Sequence, residues 1–88
     1  MTPVRDASVF WIETNEREVH FIDAIATAYD GLANVRRDYH LQDGRIYFKV
    51  YVACGMEDEF LSLLEDLRRA AAIGQVLQGT DDEPPAAA

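Results

Sequence analysis

The sequence predicts a small α+β domain of ferredoxin-like type, βαββαβ, with a four-stranded antiparallel sheet in the order 4-1-3-2 and two helices on one face. Three observations lead there. An Asp43-Gly44 pair separates two alternating segments, the position of a tight hairpin loop. Two stretches with apolar residues at helical spacing each lie between extended segments. The first and third extended segments are the most apolar, and this topology places those two at the centre of the sheet. Right-handed crossovers then bring both helices to the same side.

The first strand is expected from about Ser8 to Thr14, because Val9, Phe10, Trp11 and Ile12 form an unbroken apolar run typical of a strand covered on both faces. Phe10 and Ile12 are assigned to the core. Val9 and Trp11 go to the opposite face, with Glu13 toward water. Asn15 is a good N-cap with Glu18 three positions later, so a helix follows from about Glu16 to Asp30. Its buried stripe is Val19, Ile22, Ile25, Ala26 and Tyr29, and Gly31 ends it as a left-handed C-cap.

The hairpin strands run from about Ala33 to Gln42 and from Arg45 to Ala53. Folding about Asp43-Gly44 opposes Leu41 to Ile46, Tyr39 to Phe48 and Val35 to Val52 on one face. On the other it opposes His40 to Tyr47, Asp38 to Lys49 and Arg36 to Tyr51. A slip of one residue would exchange the two faces, so the alternation itself specifies the register. Arg37 disturbs this pattern: it falls on the helix-covered face opposite Val50, where an unpaired guanidinium is costly. At an edge strand it is expected to reach past the sheet to a helix carboxylate.

Gly55 breaks the pattern, and a second helix is expected from about Glu57 to Ala72 with Phe60, Leu63, Leu64 and Leu67 inward. Its charges suit the helix dipole, with Glu57, Asp58 and Glu59 at the start and Arg68 and Arg69 near the end. A last strand covers about Ile73 to Gln78. Residues 1–7 read as an N-terminal extension and 8–79 as one domain. Residues 80–88 read as a disordered acidic, proline and alanine tail with nothing to bury.

Composition narrows the function classes. The 88 residues suffice for one core, and 49% hydrophobic with 27% charged residues is ordinary for a globular chain. A net charge of -8 disfavours nucleic acid, whose binding draws on Lys and Arg replacing counterions. No run approaches the length of a bilayer span, so no membrane partner is expected. A single cysteine, Cys54, and no basic-then-apolar leader place the chain in the cytoplasm.

The face of the sheet opposite the helices is expected to be open and to gather Val9, Trp11, Arg36, His40, Tyr47, Lys49 and Tyr51. Large aromatic residues on an exposed face mark a contact, and the expected partner is a second copy of the chain. The alternative is a surface half covered by Lys49 and Arg36. Base stacking, as in the RNA-recognition motif, is disfavoured: Arg45 to Val52 has Ile46 where that motif's third strand wants Gly and Lys49 where it wants an aromatic.

Conventional reaction centres are not indicated. His20 and His40 have no metal-like spacing with a cysteine or carboxylate, so no metal or cofactor is expected. Cys54 is next to Glu57, Asp58 and Glu59, which would raise its thiol pKa. Arg17 and Asn34 lie in places loosely comparable to the phosphate-binding pair of acylphosphatases. The turn from Thr14 to Glu18, however, has no glycine to cradle a phosphate and carries two carboxylates.

The segment Phe21-Ile22 through Tyr29-Asp30-Gly31-Leu32-Ala33-Asn34-Val35-Arg36, followed by Asp43-Gly44, resembles a family of short bacterial domains of unknown function, over about Val9 to Leu77. The resemblance implies an ACT-like or ferredoxin-like domain and supplies no activity. ACT domains are regulatory modules that often dimerise and bind amino acids. They meet the ligand at a glycine-containing turn after the first strand, where this chain has Thr14-Asn15-Glu16. The expected function is a non-catalytic ACT-like regulatory or interaction module that self-associates as a homodimer and senses a small molecule. The alternative is a small enzyme of the dimeric α+β barrel type, with the open sheet face as a pocket wall.

Overall fold

The computed structural model describes residues 7–28, 32–80 and 84–85. Its elements are β1 (Ala7–Glu13), α1 (Glu16–Ala28), β2 (Ala33–Gln42), β3 (Arg45–Ala53), α2 (Glu57–Leu67) and β4 (Val76–Gly79). Among the described residues the strands form an antiparallel sheet in the order β2-β3-β1-β4. The expected C-cap at Gly31 and the buried Tyr29 lie outside the described residues.

One core fills the space between the sheet and both helices. Phe10 and Ile12 of β1 and Phe48, Val50 and Val52 of β3 meet Val19, Ile22 and Ala26 of α1 and Phe60, Leu63, Leu64 and Leu67 of α2. The Phe10 and Phe60 rings, 5.3 Å apart and tilted by 51°, tie the first strand to the second helix. Alternation therefore sends the expected residues of the central strands inward. Asn15 caps α1 as its sequence position predicts, its Oδ1 accepting from the Glu18 N–H at 2.9 Å.

The hairpin turns at Asp43 (φ 55°) and Gly44 (φ 77°), the pair of positive φ values that a two-residue hairpin of this hand requires. Near the turn the register is the expected one: Leu41 opposes Ile46, His40 opposes Tyr47 and Tyr39 opposes Phe48. Beyond Tyr39 it changes, because β2 bulges between Val35 and Tyr39. Val35 opposes Val50, Asn34 opposes Tyr51 and Ala33 opposes Val52, so the expected pairs Arg36–Tyr51, Asp38–Lys49 and Val35–Val52 do not form. The shift is two residues, which keeps Ala33, Asn34 and Val35 on their expected faces. The Arg37 side chain, expected to reach past the sheet to a helix carboxylate, lies outside the described residues. Val35, buried at 7% exposure, stands under the helices opposite Val50, and the backbone of Arg37 lies within the bulge.

Two boundaries differ from expectation for one physical reason. Helix α2 stops at Leu67 because the chain turns, with the Ala70 and Ala71 N–H groups both donating to the Leu67 carbonyl. The residues that follow are held as a connection to β1 before β4 begins. Arg68 Nη1 donates to the Ile73 carbonyl at 2.8 Å, the Gly74 N–H to the Glu13 carbonyl at 2.7 Å, and the Glu13 N–H to the Gln75 carbonyl at 2.9 Å. Among the described residues no helix is long and apolar enough to cross a membrane.

Candidate functional site

The face opposite the helices carries the residues singled out from the sequence, but it is not open. Trp11 and Tyr47 have no solvent exposure at all. Alternation puts them on the expected side; what covers them is the end of the chain. Trp11 Nε1 donates to the Thr80 carbonyl at 2.9 Å, Tyr47 Oη donates to Gln75 Oε1 at 3.0 Å, and Pro84 is buried. The expectation that residues 80–88 bury nothing fails at Pro84, and the expectation of an exposed aromatic patch fails with it. A ring left in water on a face this apolar would forfeit roughly 1.5–3 kcal/mol of burial, which is reason enough for a nearby segment to fold over it.

Around these rings the remaining residues are brought together except one. His40 and Trp11 pack edge to face, with ring centroids 4.9 Å apart and planes at 74°. Lys49 lies between two rings, its Nζ 5.5 Å from the Trp11 centroid and 5.4 Å from that of Tyr51. Val9 opposes Tyr51 across the ladder. Arg36 does not join them: it is exposed and sits in the bulge of β2.

A second feature lies at the end of this face, and sequence reasoning passed over it. A cleft of about 500 Å³ is lined by Glu13, Thr14, Asn15, Gly44, Arg45, Ile46, Ala72, Ile73 and Gly74. Glu13, assigned to water from the sequence, is its organising residue. Its Oε1 accepts from Arg45 Nη1 at 3.1 Å and from the Gln75 N–H at 3.0 Å. The Gln75 amide, followed by the Arg45 guanidinium, holds the Glu13 carboxyl below the usual carboxylate range against the opposing effect of burial. Thr14 is buried, with Oγ1 donating to the Ala72 carbonyl at 2.7 Å, which joins the β1–α1 turn to the connection between α2 and β4.

Nothing local marks Glu13 as special. The available signal was its alternation with Val9 and Trp11, which sets it on the same face as Tyr47. Its partners at 45 and 75 are tertiary neighbours. A further cleft of about 420 Å³ beside α2 is lined by Leu32, Met56 and Leu63 with Asp58, Glu59 and Asp66, a single-sign rim with no cation among its lining residues.

The other residues considered from the sequence are dispersed. His20, Arg17, Asn34 and Cys54 face solvent. Among the described residues no group of three or more His, Cys, Asp or Glu is placed to hold a metal ion.

Residues 12–70 match a family model described as "Domain of unknown function (DUF4911)". No curated protein and no solved structure matches the chain.

Proposed function

We propose that this chain, which belongs to that domain family of unknown function over more than half of its length, is a non-catalytic, ACT-like regulatory module of a bacterial cytoplasm, ferredoxin-like in architecture. It binds an amino acid with an apolar side chain in the cleft at the end of the sheet. One observation carries the reading: a carboxylate and a guanidinium, Glu13 and Arg45, stand 3.1 Å apart at the cleft beside the half-buried Ile46 and Ile73. The two side chains keep 25% and 48% of their surface exposed, so both charges remain within reach of a ligand. A zwitterion matches them, its carboxylate taken by the Arg45 fork and its ammonium by Glu13. An apolar side chain then lies against the two isoleucines.

Binding is tested by calorimetry and by thermal shift against a panel of amino acids, since a ligand that binds only the folded state stabilises it as RT ln(1 + [L]/Kd). We expect stabilisation by apolar amino acids, none by their N-acetylated amides, and a loss of about tenfold or more in affinity on Arg45→Gln. No stabilisation by any amino acid at millimolar concentration sinks the proposal.

Self-association belongs to the same reading, through the edge strand β2. Tyr39 and Leu41 there are 57% and 68% exposed, an apolar pair on the strand that lies outermost among the described residues. Light scattering on the Tyr39→Ser, Leu41→Ser double variant should show a monomer where the parent is a dimer. A variant that stays dimeric places the contact elsewhere. The alternative, an enzyme using the sheet face as a pocket wall, is weaker because Trp11 and Tyr47 present no surface to a substrate.

A further inference from the structure

The sheet face opposite the helices has an occupant, and the contacts with it have the chemistry of peptide recognition. Two side-chain donors from the sheet reach backbone carbonyls of the C-terminal segment: Trp11 Nε1 to Thr80 O at 2.9 Å, and Gln42 Nε2 to Pro85 O at 2.8 Å. Donors aimed at main-chain oxygens read an extended chain whatever its side chains, and an aromatic-lined groove with an indole N–H donor is how proline-bearing segments are commonly held.

The groove is also shaped for a proline ring. Gly79 opposes Val9 in the ladder, so a side chain there would rise on the Trp11 face. A Cβ at Gly79 would stand 2.9 Å from Pro85 Cδ, closer than real contacts come, and a tight 3.1 Å from Pro85 Cγ. A side chain at 79 would therefore force the ring of Pro85 to shift from its place against the strand.

We propose that this face is a recognition groove for a proline-bearing segment of the Pro84-Pro85 type, filled at Thr80, Pro84 and Pro85 by the chain's own C-terminal segment and able to take the same segment from a second copy. The second copy is the source the page supports, because every copy carries the segment that the groove already fits. In cis, the short tether gives the segment a high effective concentration and keeps the groove filled. Exchange between copies therefore becomes visible when the cis contact is disabled.

The test uses the full chain with paired variants. Pro84→Ser, Pro85→Ser leaves the groove intact and removes its occupant. Gly79→Ala leaves the segment intact and blocks its seat. Trp11 is the single tryptophan, so its emission reports the groove alone. Both variants should show red-shifted emission, with far-ultraviolet circular dichroism confirming a retained fold. Adding a synthetic peptide of residues 79–88 to the Pro84→Ser, Pro85→Ser chain should restore the blue-shifted emission saturably. A peptide with serine at 84 and 85 should not, and adding Gln42→Ala to the chain should weaken binding roughly 3- to 10-fold. The Gly79→Ala chain, whose segment lacks a seat at home, should replace the peptide when the two variants are mixed. Unchanged emission in both folded variants overturns the proposal. So does failure of the peptide and of the Gly79→Ala chain to restore emission once Trp11 is exposed. A groove lost by either route leaves amino-acid binding at the Glu13–Arg45 cleft intact, so the two proposals fail separately.

Discussion

Replacing Phe60 with alanine should lower the unfolding free energy by about 3–5 kcal/mol, the range for deleting a fully buried aromatic side chain. The ring has no exposed surface, and it is packed against Phe10 at 5.3 Å, so it joins α2 to the central strand β1. Both effects of truncation act at this position. The transfer free energy of the ring is lost, and the cavity left beneath the helix closes only partly, because the surrounding structure relaxes only in part. A domain of this length has a total stability of about 4–13 kcal/mol, so the loss is a large share of the whole. Urea denaturation followed by circular dichroism measures it. Phe21→Ala is the control: Phe21 is 38% exposed on α1, and its removal should stay within about 0.5 kcal/mol. A Phe60 variant losing less than about 1 kcal/mol would mean that α2 does not seal the core as described.

The residues that define the two layers were legible in the sequence because their signals are local. Asp43-Gly44 demands a hairpin, the period-two pattern of β1 and β3 separates the core residues from Trp11 and Tyr47, and Asn15 announces the start of α1. Each signal depends on a few adjacent residues and on backbone sterics.

What escaped the sequence was set by contacts between distant residues. The bulge between Val35 and Tyr39 sets Val35 opposite Val50 under the helices, a placement whose benefit needs the helix layer to be in place. The early end of α2 follows from the demand of Glu13 and Thr14 for partners at 72, 74 and 75. The burial of Trp11 required a segment with no periodicity of its own, whose two prolines read from composition as a tail. Of the candidate site, the aromatic face was legible as a set of residues but not as a covered surface. The Glu13–Arg45 cleft was illegible, since an exposed-looking glutamate at a strand end and an arginine after a turn are common on any surface.

Glu13 is where stability and the proposed binding meet, and its removal is the second large effect expected. Glu13→Ala strips a charged acceptor from the Gln75 N–H and from Arg45, hydrogen bonds of a class worth about 1–3 kcal/mol. Its dependence on pH has a definite sign. A carboxyl held below its ordinary pKa in the folded state contributes fully above the unfolded value, and the contribution is lost as pH falls through the folded one. For Glu13 the cause is first the Gln75 amide and then Arg45. Glu57 shares the sign, its carboxylate being held down first by the Ser8 hydroxyl and also by backbone N–H groups including that of Gly55. The parent chain should therefore lose stability as pH falls from neutrality through the carboxylate range and below it. The gap between parent and Glu13→Ala, widest near pH 7, should narrow over that same interval, while the Glu57 contribution persists in both. Amino-acid affinity should fall with the gap, because the protonated carboxyl of Glu13 no longer attracts an ammonium. Urea midpoints and calorimetric titrations taken at matched pH values report both quantities. A stability gap that stays constant with pH would show that the Glu13 charge plays no part in holding β1 to the segment before β4. An affinity that stays constant while the gap closes would move the ligand's ammonium away from this carboxylate.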